Sequence, residues 1–137
     1  RPDAAILSYP VVSAAEYVSH GGSFDNFCAD RVPREEYSLE KRARPQASPA
    51  FIWATTTDEA VPVENSVLLY SALHAAGVPA ELHLFAEGPH GLSTCDGEVY
   101  AQQPSEPLYK HAAHWMELAL EFLSARGFAV LPVSAKK

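Results

Sequence analysis

Three short apolar runs punctuate the chain, and their spacing predicts its architecture. Ala4 to Val12 (AAILSYPVV) is almost unbroken in apolar character. Ala50 to Thr56 (AFIWATT) and Ala80 to Ala86 (AELHLFA) are shorter, and each starts directly after a proline, Pro49 and Pro79. Near-continuous runs mark strands covered on both faces, whereas a half-exposed strand alternates. Between the runs the period changes. Val63 to Ala76 places Val67, Tyr70, Leu73 and Ala76 at helical spacing, and Gly77 followed by Pro79 is a stop. Leu108, Ala112, Trp115, Ala119, Phe122 and Leu123 keep steps of three and four. They predict one amphipathic helix from Pro107 to Arg126, with Ser105 as N-cap and Gly127 as stop. Strand–helix alternation implies parallel strands joined by right-handed crossovers. The predicted fold class is therefore α/β, with about three parallel strands and flanking helices.

Ser13 to Ser48 breaks this rhythm. It is polar, carries Gly21-Gly22, Pro33 and Pro45, and offers only short helical stretches such as Arg34 to Arg42. Long connections of this kind tend to be functional lids, so 13–48 is expected to form a cap-like insertion over the active-site face. Residues 131–137 read as a flexible tail. No internal repeat is present, and 1–137 reads as a portion of a single domain.

Composition narrows the partners. At 137 residues and 47% hydrophobic content the chain can bury a real core. A net charge of −7 excludes nucleic acid as the expected partner, because phosphate repulsion would go uncompensated. No apolar run approaches the roughly 20 residues of a membrane span. Cys28 and Cys95 are far apart and lack a Cys-x-x-Cys pattern, which points to unpaired thiols in a reducing, cytoplasmic compartment.

The chemistry lies in two loops. Thr57-Asp58-Glu59 follows the second run, and Gly88-Pro89-His90-Gly91-Leu92 follows the third. In a parallel sheet, ligands bind outside the carboxyl ends of the strands. Asp58 and His90 thus arrive at one rim from neighbouring strands, with Gly88 and Gly91 allowing the sharp turn that projects the ring. Acid before base is the order of the last two members of a Ser–Asp–His triad in α/β-hydrolases. None of the seven glycines frames a serine as Gly-x-Ser-x-Gly. Asp58 and His90 are accordingly the expected catalytic acid and base, with the nucleophile outside the sequence. Ser66 reads as a helix-face hydroxyl, and Ser93 as a loop residue without a strained elbow. His111, His114 and Glu117 share a helix but read as its polar face rather than as metal ligands, and no metal or cofactor is expected. His74 and His83 read as surface positions, Trp53 and Trp115 as core aromatics.

Asp58-x-x-Val61-Pro62-Val63-Glu64-Asn65-Ser66, Ala75 through Phe85, and Gly88-Pro89-His90-Gly91-Leu92 resemble the α/β-hydrolase esterase/lipase family. The likeness is strongest to its acetylesterase and acetyl-xylan-esterase-like members. It extends upstream through Arg1 to Val11 and downstream to the Trp115 helix. It implies the C-terminal half of a doubly wound α/β-hydrolase sheet, with Asp58 as triad acid and His90 as general base. Family members often carry two adjacent acids here, so Glu59 stands as the rival acid. The nucleophile elbow and the His-Gly-Gly oxyanion segment would lie upstream of Arg1. His20-Gly21-Gly22-Ser23 imitates that segment but follows the first strand instead of preceding the nucleophile, and reads as a flexible lid turn.

The implied function is hydrolysis of small-molecule carboxylic esters, such as acetylated carbohydrates, by a triad completed from outside this sequence. The chain alone is then expected to be inactive, and to dimerise or associate with a missing N-terminal half through the open edge of its first strand. A prolyl-oligopeptidase-type exopeptidase ends in a similar Asp…His arrangement and is the alternative enzyme. A non-catalytic interaction module is the alternative outside enzymes.

Overall fold

The computed structural model describes residues 2–28, 33–96, 99 and 107–129. The expected tail at 131–137 and the Ser105 cap lie outside these residues. Three strands, β1 (Ala5–Ser8), β2 (Ala50–Thr55) and β3 (Ala80–Phe85), form one parallel sheet in the order β1-β2-β3. The helices are α1 (Gly21–Cys28), α2 (Glu64–Ala75), α3 (Pro107–Ala112) and α4 (Trp115–Ser124). The α/β class and the parallel arrangement read from the apolar runs are what the structure contains.

β2 is the centre of the described sheet, and all six of its residues are buried. Its side chains alternate between two cores, which explains why its sequence shows no polar alternation. Phe51 and Trp53 join Phe85, Leu92, Ala119 and Phe122 on the α4 side, while Ala50 and Ile52 join Val12, Leu69, Leu73 and Val78 on the α2 side. Phe51, Ile52 and Trp53 are each 0% exposed. A fully buried side chain of this kind contributes roughly 1.5–3 kcal/mol, so these three fix the strand between its helical layers. β1 is different. It is only four residues long, pairs on one side among the described residues, and leaves Ile6 41% exposed.

α2 turns most of its predicted stripe inward, with Leu73 buried and Tyr70 and Ala76 packed against the same core, but its first turn differs. Leu69 and Leu73 are buried together with Asn65 and Ser66, and Val67 is 38% exposed. Asn65 and Ser66 take the buried positions of the first turn in place of Val67. The helix ends where Gly77 takes a positive φ of 71°, as its sequence position suggests.

The C-terminal helix is two helices, not one. α3 stops at Ala112, and α4 begins at Trp115 after a turn at Ala113 and His114. No glycine or proline marks that break. Trp115 stacks on Trp53 there, with ring centroids 5.1 Å apart and planes at 12°. Tertiary packing prevails over helical propensity at this point.

The segment 13–48 also departs from expectation in detail. Arg34 to Arg42 forms two 3-10 turns, Arg34–Tyr37 and Leu39–Arg42, separated by the buried Ser38. His20-Gly21-Gly22-Ser23 is not a flexible turn but the start of α1. The His20 ring accepts the Ser23 N–H at 3.2 Å through Nδ1 and lies 2.8 Å from Ser23 Oγ. The imidazole thereby satisfies a first-turn donor in the manner of a helix cap. Among the described residues no helix is long and apolar enough to cross a membrane.

The face assignment of α2 is open to a direct comparison. Leu69→Ala should cost about 2–5 kcal/mol in urea unfolding, whereas Val67→Ala should stay within about 0.5 kcal/mol. Equal costs would contradict it.

Candidate active site

The six-residue register between β2 and β3, from Ala50↔Ala80 to Thr55↔Phe85, brings both strands to the same rim. The chain leaves β2 through Thr56-Thr57-Asp58 and leaves β3 through Ala86-Glu87-Gly88. The threonines stitch these two exits together. Thr55 Oγ1 donates to the Gly88 carbonyl at 2.8 Å, Thr57 Oγ1 accepts the Gly88 N–H at 2.9 Å, and Thr56 Oγ1 donates to the Ala86 carbonyl. Three hydroxyl-bearing residues in a row directly before an acid are the available sequence signal for this seam.

Gly88 sits where that seam is tightest. Its φ is 148°, and a Cβ added there would lie 2.8 Å from both Thr55 Cγ2 and Leu92 Cδ1. Neither the backbone angle nor the space accepts a side chain. Two residues on, His90 is delivered to Asp58.

His90 Nδ1 and Asp58 Oδ2 are 2.7 Å apart. An ionised carboxylate has no proton to give, so Nδ1 carries the hydrogen and donates it, which leaves Nε2 as the basic nitrogen. The other carboxylate oxygen, Oδ1, accepts the Ala60 and Val61 N–H groups, both at 2.9 Å. Asp58 is thus pinned by its own loop on one oxygen and orients the imidazole with the other. Its side chain is 1% exposed, whereas that of His90 is 37% exposed. The buried acid and the open base suit an imidazole that exchanges protons with a bound molecule. Glu59, the rival acid, is exposed.

Tyr9, just beyond β1, completes the setting, and nothing in the sequence pattern singles it out. Its ring meets His90 edge-on at 4.8 Å and Trp53 edge-on at 5.1 Å. Its hydroxyl accepts the Ser93 N–H at 3.0 Å, and its own N–H bonds to the Trp53 carbonyl at 2.7 Å. It holds these contacts at a φ of 38°, a conformation uncommon for a residue other than glycine. Ser93 itself has a φ of 46°, so this loop position is strained, contrary to expectation. Its strain serves anchorage: the carbonyl accepts the Trp115 indole N–H at 2.9 Å while the N–H is held by Tyr9. Ser66 is a buried helix residue, 1% exposed.

The remaining candidates lie apart from the dyad. His74 is exposed and stacks on Tyr70, and His83 is half-buried over Phe51 at 4.9 Å. His114 pairs with Glu117 at 3.4 Å on the exposed side of the last helices. Among the described residues no group of three or more His, Cys, Asp or Glu side chains is arranged to hold a metal ion. Cys28 and Cys95 are free thiols. Burial pushes the Cys95 thiol up to about 11, with the Asp96 charge adding to the effect, so it stays protonated near neutrality and is a poor nucleophile.

Comparison with known proteins gives this geometry a lineage. The sequence pattern of the prolyl oligopeptidase family matches residues 3–121. Endo-1,4-beta-xylanase B of Butyrivibrio fibrisolvens is 38% identical over 104 residues, which cover 74% of this chain and 16% of that protein. An acetylxylan esterase of Xylanibacter ruminicola is 36% identical over 99 residues, covering 67% of this chain and 21% of that protein. Among solved structures, a carboxylesterase from Lactobacillus plantarum superposes with a TM-score of 0.75 at 31% identity, covering 96% of this chain and 47% of that one. The chain therefore spans about a sixth to a fifth of the curated relatives it matches, and just under half of that esterase.

The seam makes a specific demand on residue 88. Gly88→Ala should destabilise the fold by about 1–3 kcal/mol, from overpacking and backbone strain together. Denaturant unfolding of the variant reads this, and unchanged stability would refute the tight approach described above.

Proposed function

This chain belongs to the prolyl oligopeptidase family and has an α/β-hydrolase fold, and on that premise we propose that it carries the acid and base of a serine carboxylesterase. The observation that carries the reading is the 2.7 Å contact between a buried Asp58 and a partly open His90 at the rim of adjacent parallel strands. In this reading a serine from residues outside the sequence attacks the ester carbonyl. His90 Nε2 takes the serine proton and returns it to the departing alcohol, and a water then releases the acyl group by the same route. Asp58 holds the ring in the productive tautomer and stabilises the imidazolium. The names of the relatives, an acetylxylan esterase and a carboxylesterase, favour short acyl esters of carbohydrates as substrates.

A second reading rests on the family match itself: an exopeptidase of the prolyl oligopeptidase type would use the same dyad on an amide. Turnover of a dipeptidyl amide in preference to an acetate ester would select it.

The catalytic assignment has a quantitative consequence in the full-length protein assayed on an aryl acetate. His90→Ala should lower kcat by roughly 10^4- to 10^6-fold and Asp58→Asn by roughly 10^4-fold, with little change in KM. Losses of only a few-fold would end the proposal.

The chain in isolation is proposed to be inactive and to associate through β1. Its outer edge has no partner strand among the described residues, and Ile6 stands 41% exposed beside it. Such an edge recruits another strand, from a second copy or from the rest of a longer chain. Size-exclusion chromatography of the 137-residue chain should show an associated species, and a clean monomer at high concentration would count against it.

A further inference from the structure

We propose that Asn65 is a positioning residue for the acid: its carboxamide locks the Asp58 loop to the base of the inserted segment. This inference rests on the catalytic role proposed for Asp58. Asn65 is 0% exposed, on the first turn of α2. Its carboxamide makes four hydrogen bonds. Oδ1 accepts the Val12 N–H at 2.9 Å and the Ser13 N–H at 3.0 Å, while Nδ2 donates to the Val18 carbonyl at 2.7 Å and the Pro62 carbonyl at 3.0 Å.

Those partners belong to two separate pieces of chain. Val12, Ser13 and Val18 form the root of the insertion that follows β1, and Pro62 closes the loop that begins at Asp58. Between Asp58 and Pro62 the loop is already folded on itself, because Asp58 Oδ1 takes the Ala60 and Val61 N–H groups. The loop is therefore folded onto the carboxylate, and Asn65 holds its Pro62 carbonyl twice, through Nδ2 and through its own backbone N–H, both at 3.0 Å. On the other side the grip continues outward. Ser13 Oγ donates to Glu40 Oε1 at 2.8 Å, and the Ala14 N–H donates to Ser38 Oγ at 3.0 Å. Ser13 and Ser38 are each 0% exposed. A carboxamide is the side chain that fits this place, since it offers an acceptor to the two N–H groups and donors to the two carbonyls.

The two halves of the carboxamide can be separated. Asn65→Asp keeps the shape and the acceptor toward Val12 and Ser13. It replaces the donors with an oxygen facing the Val18 and Pro62 carbonyls, so it removes the side-chain hold on the Asp58 loop and leaves only the residue's backbone N–H on Pro62. In the full-length protein we expect Asn65→Asp to lower kcat on an aryl acetate by roughly ten- to a hundredfold with KM nearly unchanged, as a small misplacement of a catalytic group does. We also expect it to weaken or abolish the downfield proton NMR resonance of the His90 Nδ1–H that Asp58 accepts. Asn65→Ala, which loses both halves, should show the same catalytic and spectroscopic losses, with a larger drop in melting temperature. If Asn65→Ala does not fold, Asn65→Asp decides alone. An Asn65→Asp protein that only melts earlier, with kcat and the resonance intact, would overturn the proposal and leave Asn65 a purely structural tie. Should the wild-type protein hydrolyse no ester, the esterase reading fails separately. The resonance then decides: its loss in Asn65→Asp supports the positioning role, and its persistence rejects it.

Discussion

The parallel register of β2 and β3 is the constraint on which the rest hangs. Six consecutive residue pairs run without a bulge from Ala50↔Ala80 to Thr55↔Phe85, so both strands end level with one another. A slip of one residue would turn every side chain of β3 to the opposite face. It would also carry Gly88 away from Thr55 and Thr57, whose hydroxyls meet it only in this alignment. The carboxylate and the imidazole then come together as a product of strand pairing, not of any attraction strong enough to assemble the loops by itself. The register in turn depends on the double burial of β2, which leaves Phe51 and Trp53 no alternative to the α4 core, nor Ile52 to the α2 core.

Much of this is legible in the sequence, for identifiable reasons. Apolar runs opening after Pro49 and Pro79 place β2 and β3 within a residue; β2, buried at every position, has no polar positions to blur it, whereas β3 is fixed by the proline before it despite Glu81 and His83. The pairing of Asp58 with His90 can be read because strand ends in a parallel sheet share a rim. Hidden from the sequence are the places where a polar or strained residue performs a structural task. Apolar spacing sets Tyr70, Leu73 and Ala76 of α2 against the core but misses the first turn, where Asn65 and Ser66 are interior while Val67 is 38% exposed. Hydrophobic periodicity has no way to register an asparagine whose interior position is secured by four hydrogen bonds. The break before α4 is invisible for a related reason: what marks it is one indole stacking on another on the α4 face of the sheet. His20 capping α1 is a local device that helix-cap preferences do not anticipate, and Tyr9 at positive φ depends on partners distant in sequence.

Within the site, the division of labour between the two oxygens of Asp58 is informative. Oδ1 belongs to the loop and Oδ2 to the histidine. A carboxylate bound only to the imidazole would be free to rotate, whereas this one has its plane set by Ala60 and Val61 before His90 is considered. The orientation of the carboxylate is therefore inherited from a short turn, not from the contact with His90 itself.

The break between α3 and α4 reaches the rim of the sheet as well. Trp115, the first residue of α4, donates its indole N–H to Ser93 while stacking on Trp53. The segment around His90 is thus held from three directions: threonines of the β2 exit, Tyr9 beyond β1, and an indole of the last helix. A segment tethered at so many points makes a poor gate. If this rim yields at all, the yielding has to come from elsewhere, and the imidazole stands as a fixed post.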